Sequence, residues 1–425
     1  MLKHEDNELL TRTGPGTPMG DLFRSYWIPA LHADELPHED CPPVKVKLLG
    51  EYLVALRMTS GNIVLAEEYC PHRAASLYFG RNEEDGIRCA FHGWKFDKDG
   101  NCTDIPSEPP GSKLMKAACI KTYPCKEWGG IIWTYMGDKS KMPELPEFIF
   151  GLVPDGHRIV TKWHQKCNYV QGIEANMDSS HLSFLHQGGA GRLLSNDSEV
   201  KNTIKHQKAP EIKAIPTDYG LAIGAGRNAG EGKVYWRASQ FVTPNWTFIP
   251  RNDDATTQCQ AWVPIDDENC MSFAISWRTD RPINAFERTA IRSGGLIHAQ
   301  VKQGSFIPVQ NMENDYLINR ELQASGANFT GITGVAAQDS AVLESTRGIP
   351  DRTREILGTS DIAIIQMRRL LMNSARKLRN GEPIIRHNDG ERFRYLNATS
   401  GVLPADQDFY EGLIDQIWEK TEVKA

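Results

Sequence analysis

Apolar positions in the first third of the chain fall into short runs divided by turn residues. Residues 44–49, 52–57 and 62–66 are strand-length pieces separated by Gly50-Glu51 and Ser60-Gly61, which suit hairpin turns. Residues 96–102 read as a further hairpin, 121–124 and 130–135 as strands, and Pro106, Pro109 and Pro110 as a loop. Ahead of them a short helix is predicted over 19–26, with Leu22, Phe23 and Tyr26 near one face. The expected unit is a small antiparallel β domain over about 30–140, closed by the proline-containing segment 143–156. That segment divides the chain into 1–150 and 151–425.

The second half opens on residues 167–186, whose middle has helical periodicity. Ile173, Met177 and Phe184 follow helical steps and are expected in the core. Glu174, Asp178 and His181 step by four and three, so a helix puts them on one face. His186 lies five beyond His181, a rotation of ~140° on an ideal helix. The two imidazoles meet only if the helix ends, bends or tightens between them. Gly188 and Gly189 supply a stop signal just downstream. Residues 200–285 read mainly as strands (221–223, 233–237, 246–249, 258–263 and 271–277) whose apolar and polar residues alternate as in an antiparallel sheet. Residues 304–350 are less regular, and 360–378 form a helix with Thr359 or Ser360 as cap. Strands and helices in separate runs make the chain α+β.

At 425 residues there is room for two or three domains and a sizeable core. A net charge of −6 and a pI of about 6.1 give no electrostatic case for nucleic acid or membrane binding. No apolar run approaches the ~20 residues of a membrane span. The first residues lack the apolar core of a signal peptide. The nine cysteines are odd in number, and most are scattered without a paired framework, so a reduced, cytoplasmic setting is expected.

The chemistry concentrates in two places. Cys70 and His72 stand one residue apart, Cys89 and His92 two apart, and each pair suits a tight loop. A Cys2His2 set fits tetrahedral zinc. It fits equally a [2Fe–2S] cluster with Cys70 and Cys89 on one iron and His72 and His92 on the other. The second place is the set Glu174, Asp178, His181 and His186. Two histidines and one carboxylate on one face of a metal leave positions open for O2, the non-haem iron oxygenase arrangement. The third ligand has to come from a distant segment, and Asp339, Glu344, Asp351 and Asp361 are all candidates. Asp339 also suits a helix N-cap, and Asp361 a helix start.

The flanks decide the first site. Residues 70–73 and 89–96 resemble the Rieske signature closely. With 10–20, Glu174-x3-Asp178-x2-His181-x4-His186 and 338–345, nearly the whole chain resembles the large subunit of the Rieske non-haem iron ring-hydroxylating oxygenases, phthalate dioxygenase-like branch. That resemblance implies a Rieske domain followed by a helix-grip (START-like) catalytic domain. It implies Asp339 as the third ligand of a mononuclear Fe(II) beside His181 and His186, with Glu174 and Asp178 as the candidate catalytic residues. It also implies Asp178 as the carboxylate linking His92 of one subunit to His181 of its neighbour. A flavin and iron–sulfur NAD(P)H-dependent reductase would feed the cluster, O2 would be co-substrate, and the assembly would be a homotrimer or a stack of two. The implied substrate is an aromatic carboxylate of phthalate or substituted-benzoate type, with Arg192, Arg237 and Arg251 as candidate partners. O-demethylation or other monooxygenation of an aryl ether is the alternative chemistry.

Overall fold

The computed structural model describes residues 1–109, 112–188, 207–250 and 256–419. Helices α1 (His4–Thr11) and α2 (Pro18–Arg24) precede strands β1 (Trp27–His32), β2 (Val44–Leu48), β3 (Glu51–Arg57) and β4 (Ile63–Glu67). Short strands β5 (Arg81–Glu83), β6 (Gly86–Arg88), β7 (Lys95–Phe96) and β8 (Cys102–Asp104) follow, then the single turn α3 (Leu114–Ala117) and strands β9 (Thr122–Trp128) and β10 (Ile131–Tyr135). They build two antiparallel sheets, β1-β10-β9-β4-β3-β2 and β5-β6-β7-β8.

Between these sheets β3 and β4 are covered on both faces. Leu53, Ala55 and Leu65 enter the large core, while Val54, Leu56, Val64 and Ala66 point to a second core around the small sheet. A strand buried on both faces has no polar face to show, which is why 52–57 and 62–66 read as continuous apolar runs.

The second half contains β11 (Arg158–Gln165), α4 (Tyr169–Met177), β12 (Glu211–Pro216), β13 (Gly220–Gly230), β14 (Lys233–Val242), β15 (Trp246–Ile249), β16 (Thr257–Pro264) and β17 (Cys270–Trp277). After these come α5 (Ala285–Arg292), α6 (Arg320–Ala324), α7 (Val335–Glu344), α8 (Ile362–Arg379), β18 (Thr399–Pro404) and α9 (Phe409–Ile417). The antiparallel order is β11-β17-β16-β15-β14-β13-β12, with β18 added against β14. The expected alternation is present, but its polar face is not solvated. Gln258, Gln260, Ser272 and Ser276 are buried. Gln260 donates to Ser272 Oγ at 2.6 Å, and Asn176 of α4 donates to Gln260 Oε1 at 3.0 Å. The opposite face carries Trp246, Phe248, Cys259, Phe273 and Ile275 into the main core.

The two halves of the chain pack closely. Within the segment 143–156, Phe148, Ile149 and Phe150 are fully buried. Phe148 lies 5.1 Å from Trp246, and Trp133 of β10 lies 5.2 Å from the same ring, so aromatic packing joins the two halves. The first 25 residues pack on the second half. Tyr169 donates to Leu10 O at 2.7 Å, and Arg376 of α8 pairs with Asp6 of α1. Finally, α8 is entered by a 3-10 turn, Thr359–Asp361, and neither Thr359 nor Ser360 caps it. Among the described residues no helix is long and apolar enough to cross a membrane.

Candidate metal centres

The two Cys-His loops close through their own backbones. Cys70 N–H donates to Ala75 O at 2.9 Å, and Ala74 N–H returns to Cys70 O at 2.9 Å. Cys89 N–H donates to Trp94 O at 2.8 Å, and Gly93 N–H to Cys89 O at 3.0 Å. Gly93 turns with φ +75°, and a Cβ there would sit 2.8 Å from Pro106, so the second loop needs glycine. Both thiols are buried in the small core. His72 is exposed and His92 half-buried; their rings lie 4.4 Å apart, and His72 stacks on Trp94 at 4.6 Å. Burial, with a further contribution from Cys89, pushes the Cys70 thiol up to about 11. So buried, that thiol resists ionisation until a cation compensates it. His92 Nδ1 is buried without a hydrogen-bond partner. Two inward thiols, two outward imidazoles and one orphaned ring nitrogen are a fitting donor set for a cluster.

The second centre depends on where α4 stops. Asn168 caps its start, accepting from Val170 N at 3.1 Å while its own N–H donates to Gln171 Oε1 at 3.1 Å. Gly172 lets α4 lie on the sheet, because a Cβ there would fall 2.1 Å from the Trp262 ring. The helix ends at Met177, before both histidines, and not at the downstream glycines, of which Gly189 lies outside the described residues. Asp178 is its C-cap, and its carboxylate accepts from Ser180 N at 2.6 Å and His181 N at 3.3 Å. Such side-chain bonds compete with helix continuation. His181 therefore begins a separate 3-10 turn, His181–Ser183. The shared helical face of Glu174, Asp178 and His181 does not form, and Phe184 is exposed against Phe329 rather than in the core.

The turn brings His181 Nε2 within 3.1 Å of His186 Nε2. Asp339 Oδ1 lies 3.4 Å from His186 Nε2 and 3.9 Å from His181 Nε2. The three donor atoms lie within 4.8 Å of one another. Asp339 Oδ1 is buried and has no hydrogen-bond partner. Three convergent lone-pair donors, one of them orphaned, fit a cation.

On the outer side, His181 Nδ1 lies 3.4 Å from Asp178 Oδ2. Burial opposes the charged forms of both groups, yet their mutual interaction, with Asp339 adding to it at His181, prevails. The Asp178 carboxyl is held below its ordinary value and the His181 ring above it.

Asp339 lies inside α7, not at its cap, which is Gly334. The other carboxylates are committed elsewhere. Glu344 accepts from Gln165 at 2.7 Å and Tyr316 at 2.5 Å, Asp351 from Thr353 at 2.6 Å, and Asp361 from Gly358 N at 2.7 Å. Glu174 is not brought to the histidines; Arg368 holds it at 2.7 Å and Arg352 at 3.3 Å.

Arg192 and Arg251 lie outside the described residues. Arg237 is buried on β14 and donates to Pro250 O at 3.2 Å. The sequence reading missed its neighbour Arg227, 1% exposed, although it continues the period-2 row Leu221, Ile223, Ala225. Arg227 donates to Ser179 O at 2.8 Å, Ser179 Oγ at 3.3 Å and Gln207 O at 3.2 Å, and no described carboxylate pairs with it. Burial, with Arg237 adding to it, lowers the Arg227 guanidinium to about 10. Tyr235, opposite Arg227 in the register, has a buried hydroxyl without a partner.

Residues 26–124 match the family described as Rieske [2Fe-2S] domain, and 134–425 the family described as LigXa C-terminal domain like. The oxygenase subunit of 3-chlorobenzoate-3,4-dioxygenase from Comamonas testosteroni is 38% identical over 386 residues, 88% of each chain. The oxygenase subunit of phthalate 4,5-dioxygenase from Pseudomonas putida is 35% identical over 429 residues, covering 98% of this chain and 96% of that one. Among solved structures, the NdmA QL mutant with theobromine from Pseudomonas putida CBB5 superposes with a TM-score of 0.60, covering 92% of this chain and 100% of that one. At 18% identity this is a likeness of fold.

Proposed function

We infer the reaction from one premise: this chain belongs to the Rieske non-haem iron ring-hydroxylating oxygenases, as the large subunit of an oxygenase component. It is an oxygenase that uses a Rieske [2Fe–2S] cluster, a mononuclear iron and O2, and it receives electrons from a separate partner. When bound, the cluster supplies electrons singly and the iron(II) supplies open positions for O2.

We assign Cys70, Cys89, His72 and His92 to the cluster, and His181, His186 and Asp339 to the iron. The convergence of the last three within 4.8 Å is the observation that carries the assignment. Asp178 holds the outer nitrogen of His181, so that Nε2 is left to face Asp339. The electron donor is a flavin and iron–sulfur NAD(P)H-dependent reductase.

The substrate is an aromatic acid of benzoate or phthalate type. The support is Arg227, a buried cation in direct ion-pair contact with no described carboxylate and under only a longer-range influence of Asp178, beside Arg237 and the free Tyr235 hydroxyl on one sheet face. A guanidinium so placed is suited to bind an incoming carboxylate, and the tyrosine to add a hydrogen bond.

The test is product analysis under labelled O2, using iron-replete protein, a reductase and a panel of aromatic acids and aryl ethers. Label in a hydroxylated aromatic acid is the expected outcome. Turnover of neutral ethers alone would overturn the carboxylate reading. Asp178→Asn is expected to keep both metals and lose coupled oxygenation by at least ~10–100-fold. Near-normal turnover there would remove Asp178 from its role.

A further inference from the structure

The two histidines of the mononuclear centre are held from behind in different ways. His181 has a carboxylate. His186 has the side-chain amide of Gln338, the residue before Asp339, with Oε1 2.8 Å from His186 Nδ1. Gln338 is fully buried. Its Nε2 lies 2.9 Å from Ile332 O and 3.1 Å from Thr330 Oγ1.

We propose that Gln338 is a positioning residue that sets the tautomer and aim of His186. The chain of constraint starts at Ile332, whose carbonyl can only accept. The end of the amide facing it must therefore be the NH2 group, and the end facing His186 the oxygen. An oxygen there makes His186 Nδ1 the donor. A neutral imidazole with its proton on Nδ1 carries a lone pair on Nε2, the atom 3.4 Å from Asp339 Oδ1.

The loop that supplies the carbonyl is itself fixed. Asn328 donates to Ile332 O at 2.9 Å and accepts from Thr330 N and Gly331 N at 3.0 Å each. Helix α7 thus carries one ligand and the orienting group of another on consecutive residues, so a shift of α7 moves both together. Because the partner of His186 is neutral, it orients the ring without adding charge, unlike Asp178 behind His181.

This proposal rests on reading His186 as an iron ligand, and the experiment separates the two. Protein freed of mononuclear iron, with the cluster intact, is labelled with 15N-histidine and examined by solid-state NMR. His186 is identified by its loss in His186→Asn. The wild type is expected to show a proton on Nδ1, and an unprotonated Nδ1 there would overturn the proposal without any variant. Anaerobic Fe(II) titration is then compared across variants. Gln338→Leu is expected to lose the single tautomer and weaken Fe(II) binding by ~10–100-fold. Gln338→Glu keeps the acceptor toward His186 but sets its second oxygen against the Ile332 carbonyl, which can only accept, and is expected to recover only part of the loss. The cluster's visible spectrum reports folding throughout. Gln338→Leu binding Fe(II) within about twofold of wild type would overturn the proposal while His186→Asn still abolishes binding. If His186→Asn also binds normally, the ligand reading fails instead.

Discussion

Glu174 and Asp178 stand four apart yet do unrelated work, and only the fold separates them. Glu174 neutralises Arg368 and Arg352, both nearly inaccessible, while a second acid, Glu355, pairs with Arg368 at 2.5 Å. Glu174→Gln leaves a buried cation short of its partner and is expected to cost about 3–5 kcal/mol in denaturant unfolding, with Fe(II) and cluster content of the folded fraction unchanged. Burial opposes ionisation of Glu355, but Arg368 prevails and its pKa is lowered. A depressed acid stabilises above its unfolded value, near 4.3, and loses that contribution as pH falls through the lower folded value. Glu355→Gln is therefore expected to flatten the acid limb of stability below about pH 4.3 and leave its shape near neutrality unchanged. Arg227→Met is expected to raise KM for an aromatic acid about tenfold or more, the loss of one charge-assisted hydrogen bond. The residues proposed for the cluster stand out in the sequence because Cys70 with His72 and Cys89 with His92 are each close neighbours on one loop. Asp339 meets His186 across 153 residues, and four carboxylates were equally eligible until the fold committed three of them elsewhere.

At the scale of elements, most strands were legible and the decisive helix end was not. Ile173 and Met177 are core residues as expected, and their spacing led on to Phe184, which is exposed. What stopped the helix was a side chain. Asp178 bonds Ser180 N and His181 N, a local choice that hydrophobic periodicity does not register. The same limit applies to the large sheet, where polar residues alternate as expected but face a covered interior. The seating of α4 depends on Gly172. Gly172→Val has to displace the Trp262 ring or lift the helix that ends at Asp178. The expected result is loss of mononuclear Fe(II) with the cluster spectrum retained, because the Cys-His loops belong to a separate core. Loss of both centres together would mean that α4 supports the whole chain rather than the iron site.

Across the whole molecule, the two centres sit in halves joined by buried rings, yet the contacts of Asp178, the acid proposed to link them, stop short of the cluster. The described hydrogen bonds and ion pairs of the Asp178 carboxylate run to Ser180 and His181. The imidazole edge of the cluster loops faces outward, with His72 exposed and His92 half-buried. An outward donor and an acid engaged only from behind are complementary between copies of the chain, which is the arrangement we propose for a cyclic oligomer. The consequence can be tested by complementation. His92→Ala removes a proposed cluster ligand and leaves His181, His186 and Asp339 intact. Asp339→Ala removes a proposed iron ligand and leaves the four residues proposed for the cluster intact. Each variant alone is expected to be inactive. Co-expressed and purified as hybrids carrying two different tags, they are expected to recover oxygenation, because an intact cluster on one chain then meets an intact iron site on its neighbour. Hybrids of verified mixed composition that remain inactive would confine the electron path to a single chain. The bridge through Asp178 would then have to be sought within one subunit, against the outward orientation of the cluster edge.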